Sequence, residues 1–179
     1  DRGHEVAFNR WYERDHFYSG CMVGPNFFSG KRFLATRALK DVRQPASGSM
    51  LADVRAGSFL ALYWILRGHH DETQAWATER VKALHAHDRM FSMRKPVHAG
   101  FYRTHFAVSA DPDGVPAEIA LEHPYAGVAL TMFEASESAG REKLLAALEG
   151  GLLRDSLSAS GPSLCLVTSP LPIGDDMPA

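Results

Sequence analysis

A single apolar segment, SFLALYWIL over residues 58–66, restricts the folds open to this chain more than any other part of it. Its side chains are apolar on both alternating faces, which is typical of a strand covered on both sides. The segment is too short to cross a membrane as a helix, which needs about 20 apolar residues. We therefore predict a central strand in a protein with no membrane partner.

The composition is that of an ordinary globular protein, with 179 residues, 45% hydrophobic and 22% charged. The chain has 19 Lys and Arg residues and 21 Asp and Glu residues, which gives a net charge of −2. It therefore lacks the basic character of a nucleic-acid binder. We expect no nucleic-acid partner.

Cys21 and Cys165 are far apart and neither belongs to a CxxC motif. This favours a reducing cytoplasm over a disulfide framework or a zinc site.

Periodicity predicts an α+β protein. In the first block, residues 1–110, the pattern predicts a helix over 5–18 that ends before Gly20, a strand over 30–37, a loop over 44–57, a second helix from Thr73 onward and a strand over 97–108. A connection with three prolines follows over residues 111–125. Residues 126–170 then read as a shortened second β-α-β repeat, with strands over 127–134 and 163–168 around a helix over 136–150, before a tail over 171–179.

Three motifs occur in order near the start: FNRWYERDH over residues 8–16, GPNFF over 24–28, and the strand beginning with KRF at 31–33. This arrangement resembles the EthD-like dimeric α/β-barrel proteins, whose first helix carries a phenylalanine, a tryptophan-tyrosine pair and a histidine. The resemblance implies a ferredoxin-like antiparallel sheet with helices on one face, and the first block would lack the first strand of that unit. It also implies that the other sheet face packs on a second copy, in a homodimer or a fused repeat, to enclose an apolar cavity.

His16 lies four residues after Tyr12 and eight after Phe8, so the three side chains share a helix face. A neutral imidazole there could act as a general base, with Tyr12 or Asp15 orienting it. The alternative is a histidine that simply packs at the helix end and suits the helix dipole when charged.

A second candidate group lies on the strand over 97–108, where Phe101, Arg103 and His105 share one face by alternation. Arg103 could hold a carboxylate or enolate while His105 moves a proton. The alternative is that this face is solvated, because alternation cannot tell the inward face from the outward one. Further candidates for contact with the substrate are Trp11, Arg32, Arg37, Tyr63 and Tyr102.

No histidine pair has the spacing of a metal site, and we expect neither a metal nor an organic cofactor. Haem held by one axial histidine stays open as an alternative, although no CxxCH motif accompanies it. The leading prediction is a cyclase, isomerase or lyase that transfers a proton on a small apolar, aromatic or polyketide-like substrate. The alternatives are a protein that binds a hydrophobic ligand without transforming it, and a haem-dependent or cofactor-free oxygenase of the same fold.

Overall fold

The computed structural model describes residues 2–44, 51, 53–110, 116, 123–134, 137–157 and 162–172. These residues form an α+β protein with helices and two small antiparallel sheets, an arrangement compatible with a ferredoxin-like fold. The chain divides into two compact units, Asp1–Phe101 with Pro172–Ala179, and Tyr102–Leu171. The division precedes the predicted connection over 111–125, of which residues 111–115 and 117–122 lie outside the described part.

The first helix is longer than predicted and changes character along its length. Helix α1, Glu5–Trp11, continues without a break as a π-helix over Tyr12–Met22, called here the π segment. The amide of Val23 donates to the carbonyl of Tyr18 at 3.0 Å, the i→i+5 bond that defines this geometry. The predicted end before Gly20 is wrong, because one glycine weakens a helix by only about 1 kcal/mol and no proline occurs before Pro25.

The first sheet pairs β1, Phe27–Leu34, with β2, Phe59–Ile65, in antiparallel register. The predicted strand over 30–37 thus begins earlier and ends at Leu34. Thr36 accepts a hydrogen bond from the amide of Leu39 at 3.4 Å and starts a short helix, α2, Arg37–Asp41, which removes Arg37 from the strand. In the described residues β2 pairs only with β1, so it is not the central strand that its sequence predicts.

Helix α3, His70–Ala86, confirms the predicted second amphipathic helix and begins slightly earlier than expected. Thr73 and Leu84 are buried on its inner face, and Trp76 contacts Phe27 of β1 with ring centroids 5.6 Å apart. Aromatic rings make up much of the core of this unit, since large rings bury more apolar area than aliphatic side chains. As with the other helices in the described part of the chain, α3 does not have the length and apolar character needed to span a bilayer.

The second unit contains β3, Tyr102–Ser109, and β4, Leu164–Pro170, paired antiparallel. Between them in sequence are α4, Ser138–Ala147, a π turn over Leu148–Leu152, and a short helix, α5, Leu153–Ser156. The predicted helix over 136–150 and strand over 163–168 are therefore confirmed in type and place. The strand predicted over 97–108 forms only from Tyr102 onward.

The strand predicted over residues 127–134 does not form. The structure describes these residues, and none of them belongs to a helix or a strand. Val128, Leu130, Met132 and Phe133 are all exposed there, with exposed fractions between 43% and 59%. Alternating apolar residues favour a strand only when another strand supplies the hydrogen-bonding partners, and in the described part of the second unit β3 and β4 pair with each other.

Candidate functional site

Four polar side chains contact one another inside the aromatic core of the first unit: His16, Cys21, Tyr63 and Tyr12, which we call the His16 cluster. The hydroxyls of Tyr12 and Tyr63 lie 2.7 Å apart, and the Tyr63 hydroxyl is also hydrogen-bonded to the Cys21 thiol. The Cys21 Sγ lies 3.8 Å from Nε2 of His16. The imidazole in turn meets the Tyr12 ring edge-on, with centroids 5.1 Å apart, so the four groups form a closed set.

Helix α1 and the π segment that continues it place three residues of this site in one row. Trp11, His16 and Cys21 follow each other at intervals of five residues, the hydrogen-bonding interval of a π-helix. The indole of Trp11 stacks on the imidazole of His16 with centroids 4.4 Å apart and an interplanar angle of 20°. In an α-helix, residues five apart point in different directions, so this row depends on the π geometry.

Gly20 leaves the space in which the His16 ring lies. A Cβ at position 20 would be only 2.6 Å from Nδ1 of His16, too close for any other side chain without movement of the ring. This nitrogen is buried and has no hydrogen-bond partner among the described residues. The imidazole therefore has one nitrogen near Cys21 and a second nitrogen whose hydrogen-bonding capacity is unused.

The sheet supplies Tyr63 and Arg32 on the same face. Gly30 of β1 lies opposite Tyr63 of β2, and a Cβ on Gly30 would be 2.8 Å from the Tyr63 ring. Two residues further along β1, the Arg32 guanidinium lies over the Tyr12 ring at 4.1 Å and donates to Oδ1 of Asn9 at 2.8 Å. Arg32 thus joins the sheet to the first helix beside Tyr12.

Two arginines from outside the π segment hold it in place. The Arg89 guanidinium pairs with the Asp15 carboxylate and donates to Oγ of Ser19 at 2.6 Å. The Arg80 Nε donates to the Ser19 carbonyl at 2.8 Å, and the Arg89 carbonyl accepts from Nε1 of Trp11 at 2.7 Å. Since these bonds fall on both sides of His16 in the sequence, they fix the turn that carries it.

The members of the cluster are uncharged at neutral pH, and burial favours the neutral form of each. Burial, followed by the positive charge of Arg94, lowers the pKa of His16 from 6.5 to about 4. Burial raises the pKa of Tyr12, Tyr63 and Cys21. By contrast, hydrogen bonds from Arg89 and Ser19 lower the pKa of Asp15, which stays ionised. The site therefore offers a neutral imidazole as proton acceptor and neutral phenols as proton donors.

The structure brings together five of the residues selected from the sequence: Trp11, Tyr12, His16, Arg32 and Tyr63. Arg37 lies elsewhere, exposed at the start of α2. Tyr102, Arg103 and His105 lie on β3 in the second unit and are exposed.

Of the three residues predicted to share a strand face, Arg103 and His105 belong to β3, whereas Phe101 precedes the strand. The pairing of β3 with β4 shifts register between Thr104 and Phe106, so His105 lies at a bulge. Nε2 of His105 lies 2.9 Å from Oγ of Ser169, the residue that pairs with Arg103.

No pattern in the sequence indicates that Cys21 or Gly20 belongs to this site. A lone cysteine after a helix is typical of a small packed side chain, and the half-buried position of Cys21 agrees with that, but its contact with His16 is not predicted. The spacing of five residues indicates this contact only when the π geometry is known.

No group of three or more His, Cys, Asp or Glu side chains suited to a metal ion occurs in the part of the chain that the structure describes.

Comparison with known proteins finds no family model, no curated protein and no solved structure that matches the chain. Any function must therefore rest on the chemistry of the site itself.

Proposed function

We propose that this chain is a cofactor-independent enzyme that moves a proton on a small apolar, aromatic or polyketide-like substrate, in a cyclisation, isomerisation or elimination. The observation that carries the proposal is the His16 cluster, in which a half-buried neutral imidazole with one unused nitrogen lies beside a pair of hydrogen-bonded phenols. The resemblance to EthD-like proteins supports a barrel cavity completed by a second copy.

His16 would act as the base through Nδ1, the nitrogen without a partner among the described residues. Because Nδ1 is buried beside Gly20, the imidazole has to turn or move for this nitrogen to meet a substrate C–H. The carbanion formed when a C–H next to a carbonyl loses its proton is an enolate, whose charge lies mainly on oxygen. A neutral phenol can donate a hydrogen bond to that oxygen. One proton of the Tyr12–Tyr63 pair is used in the bond between the two hydroxyls. The other is left for the substrate when Tyr63 accepts from the Cys21 thiol rather than donating to it.

A pKa of about 4 makes His16 a weak base in the empty site, although it is fully available as a neutral acceptor at pH 7. Proton transfer creates an imidazolium and an enolate side by side. Their attraction is strong where water is excluded, and it offsets the burial that lowers the pKa of the imidazole. The site is thus better suited to the charge-separated transition state than to a free imidazolium.

Deuterium exchange tests the proton-transfer step by itself, whatever the later steps of the reaction are. Aromatic and polyketide-like ketones are incubated in deuterated buffer with the whole chain, and incorporation at the acidic C–H is followed by NMR or mass spectrometry. We expect exchange above the buffer rate for ketones of this class. His16→Gln should reduce the protein-dependent rate about 100- to 10,000-fold, the usual contribution of a general base.

His85→Gln is the matched control, because His85 is exposed in the last turn of α3. This variant should exchange at the wild-type rate. Equal exchange by His16→Gln and wild type would remove His16 as the base. No exchange above buffer with any ketone of the panel would count against proton-transfer catalysis and favour a binding role.

A further inference from the structure

Cys21 is the member of the His16 cluster that neither takes nor gives a proton in the proposed reaction. Its Sγ lies 3.8 Å from Nε2 of His16, and its thiol is hydrogen-bonded to the Tyr63 hydroxyl. The Tyr63 hydroxyl in turn lies 2.7 Å from that of Tyr12. Cys21 therefore links the imidazole to the phenols, in a series of contacts from His16 to Tyr12 that we call the His16–Tyr12 chain.

Each group in the His16–Tyr12 chain has one proton that it can share. Burial raises the pKa of Cys21, so its thiol stays protonated and can donate one hydrogen bond while it accepts another. The neutral imidazole has one N–H and one free lone pair, and each phenol has one O–H. When all three contacts are hydrogen bonds and both Cys21 and Tyr63 use their protons, the bonds must all run in the same direction.

Two directions satisfy this condition, and they leave different groups free. In the first, Nε2–H of His16 donates to Cys21 and the thiol donates to Tyr63. Tyr63 then donates to Tyr12, so the lone pair of the imidazole is on Nδ1 and the Tyr12 proton is free. In the reverse direction Nδ1 carries the proton of the imidazole, and the protons of the thiol and of both phenols are all used within the chain.

The surroundings of Nδ1 favour the first direction. This nitrogen is buried and has no hydrogen-bond partner among the described residues. In the reverse direction it would carry an N–H without an acceptor, whereas in the first direction it carries only an unused lone pair. In native proteins, buried N–H groups without an acceptor are rarer than acceptors without a donor.

We propose that Cys21 is a positioning residue of the His16 site, because its thiol accepts from Nε2 of His16 and donates to Tyr63. These two bonds keep the lone pair of the base on Nδ1 and leave the proton of Tyr12 free for the enolate oxygen. This inference rests on the proposed function for the roles of His16 and Tyr12. It adds that the base and the acid of the site are the two ends of one hydrogen-bonded chain.

The effect of Cys21 on His16 lasts when the ring moves. If the imidazole turns towards a substrate, the proton on Nε2 stays bound to that nitrogen, so the lone pair of Nδ1 is what reaches the C–H. Cys21 therefore acts before the substrate binds, by deciding which neutral tautomer is present at rest. A side chain that only fills space would not change the ratio of the two tautomers.

The tautomer ratio of His16 tests the proposal without any substrate. The histidines of the full chain are labelled with the NMR-active nitrogen isotope, and spectra are recorded at pH 7, where His16 is neutral because its pKa is about 4. Protonated and unprotonated ring nitrogens have widely separated chemical shifts, and the His16 signals are those missing from His16→Gln. We expect Nε2–H to be the main tautomer in wild type. Cys21→Ala should raise the ratio of Nδ1–H to Nε2–H about 3- to 10-fold, the effect of one lost hydrogen bond.

Cys21→Ser should keep the wild-type ratio, because a hydroxyl also donates one hydrogen bond while it accepts another. Cys165→Ala is the matched control, since it removes the other thiol of the protein, on β4 in the second unit. Circular dichroism shows whether each variant is folded, and Cys21→Val, which fills more of the space of the thiol, replaces Cys21→Ala if that variant is not. The proposal would be overturned by Nδ1–H as the main tautomer in wild type, or by the same ratio in wild type and Cys21→Ala.

Deuterium exchange separates this proposal from the proposed function. Cys21→Ala should lower the exchange rate about 2- to 5-fold, since some molecules then have the wrong tautomer or no free phenol proton, and Cys21→Ser should restore most of it. A tautomer ratio that depends on Cys21, without exchange, supports the His16–Tyr12 chain and counts against proton-transfer catalysis. Exchange that depends on His16, with the same tautomer ratio in wild type and Cys21→Ala, supports the catalysis and rejects the role of Cys21.

Discussion

The hydroxyls of Tyr12 and Tyr63 lie 2.7 Å apart although 51 residues separate them in the chain. This bond joins the π segment to β2 among aromatic rings, and both tyrosines are half-buried there. The pair therefore connects the stability of the first unit to the chemistry of the site, since its position beside His16 depends on both elements.

Removal of either hydroxyl alone should lower the free energy of unfolding by more than half of what removal of both costs. Tyr12→Phe or Tyr63→Phe leaves the remaining hydroxyl with a lost partner, so each should lower the free energy of unfolding by about 1–2 kcal/mol. The double variant should lose less than the sum of the single variants. Urea denaturation of the four proteins measures this coupling.

Tyr18→Phe is the control for the tyrosine variants, because Tyr18 is 62% exposed. Its free energy of unfolding should stay within about 0.5 kcal/mol of wild type. Strict additivity between Tyr12→Phe and Tyr63→Phe would show that the two hydroxyls do not interact in solution.

Gly20→Ala should displace the His16 ring. The added Cβ would lie 2.6 Å from Nδ1, and we expect a loss of about 1–2 kcal/mol because overpacking outweighs the gain in helix propensity. The NMR shifts of the His16 ring should change at the same time. In Gly127→Ala, by contrast, the new Cβ has no described heavy atom within 4 Å, and stability should hardly change. Unchanged His16 signals in Gly20→Ala would contradict the observed packing.

Stability should fall as the pH drops from neutral, with a contribution from His16. Its pKa is about 4 in the folded chain against 6.5 for an ordinary histidine, so the unfolded state binds the proton first. The contribution of His16 to stability is complete above pH 6.5 and is lost progressively between pH 6.5 and about 4. From pH 7 to pH 5 we expect wild type to lose about 1–2 kcal/mol more than His16→Gln, after allowance for the partial contact of the ring with solvent. Urea denaturation at both pH values measures this difference. If wild type and His16→Gln lose the same free energy of unfolding, the pKa of His16 is not depressed.

The exchange reaction should stay active in mild acid. If His16 is the base, the second-order rate constant with a neutral ketone falls only when the free protein becomes protonated, near pH 4. Arg94→Gln removes a charge that lowers the pKa of His16, so its profile should fall at higher pH than that of wild type. If the rate constant of wild type instead falls near pH 6.5, the usual pKa of histidine, the base is an exposed histidine.

Local patterns in the sequence predicted most of the secondary structure. The first helix, β2, α3, α4 and β4 appear where periodicity placed them, since amphipathic spacing reflects which side chains each element buries. Two errors had a common cause. The strand expected over 127–134 and the central position expected for β2 both depend on neighbouring strands, and pairing partners cannot be read from one segment alone.

The sequence by itself determined that Phe8, Tyr12 and His16 lie on one side of a helix, because residues four apart meet in any helical turn. Only the tertiary structure decided that Cys21 joins them and that Tyr63 reaches the same site. The i→i+5 turn is a rare geometry, here held by Arg80 and Arg89 from far along the chain. Contacts over such separations arise from packing of the whole unit, and that packing decides which polar groups are buried together and what their charges become.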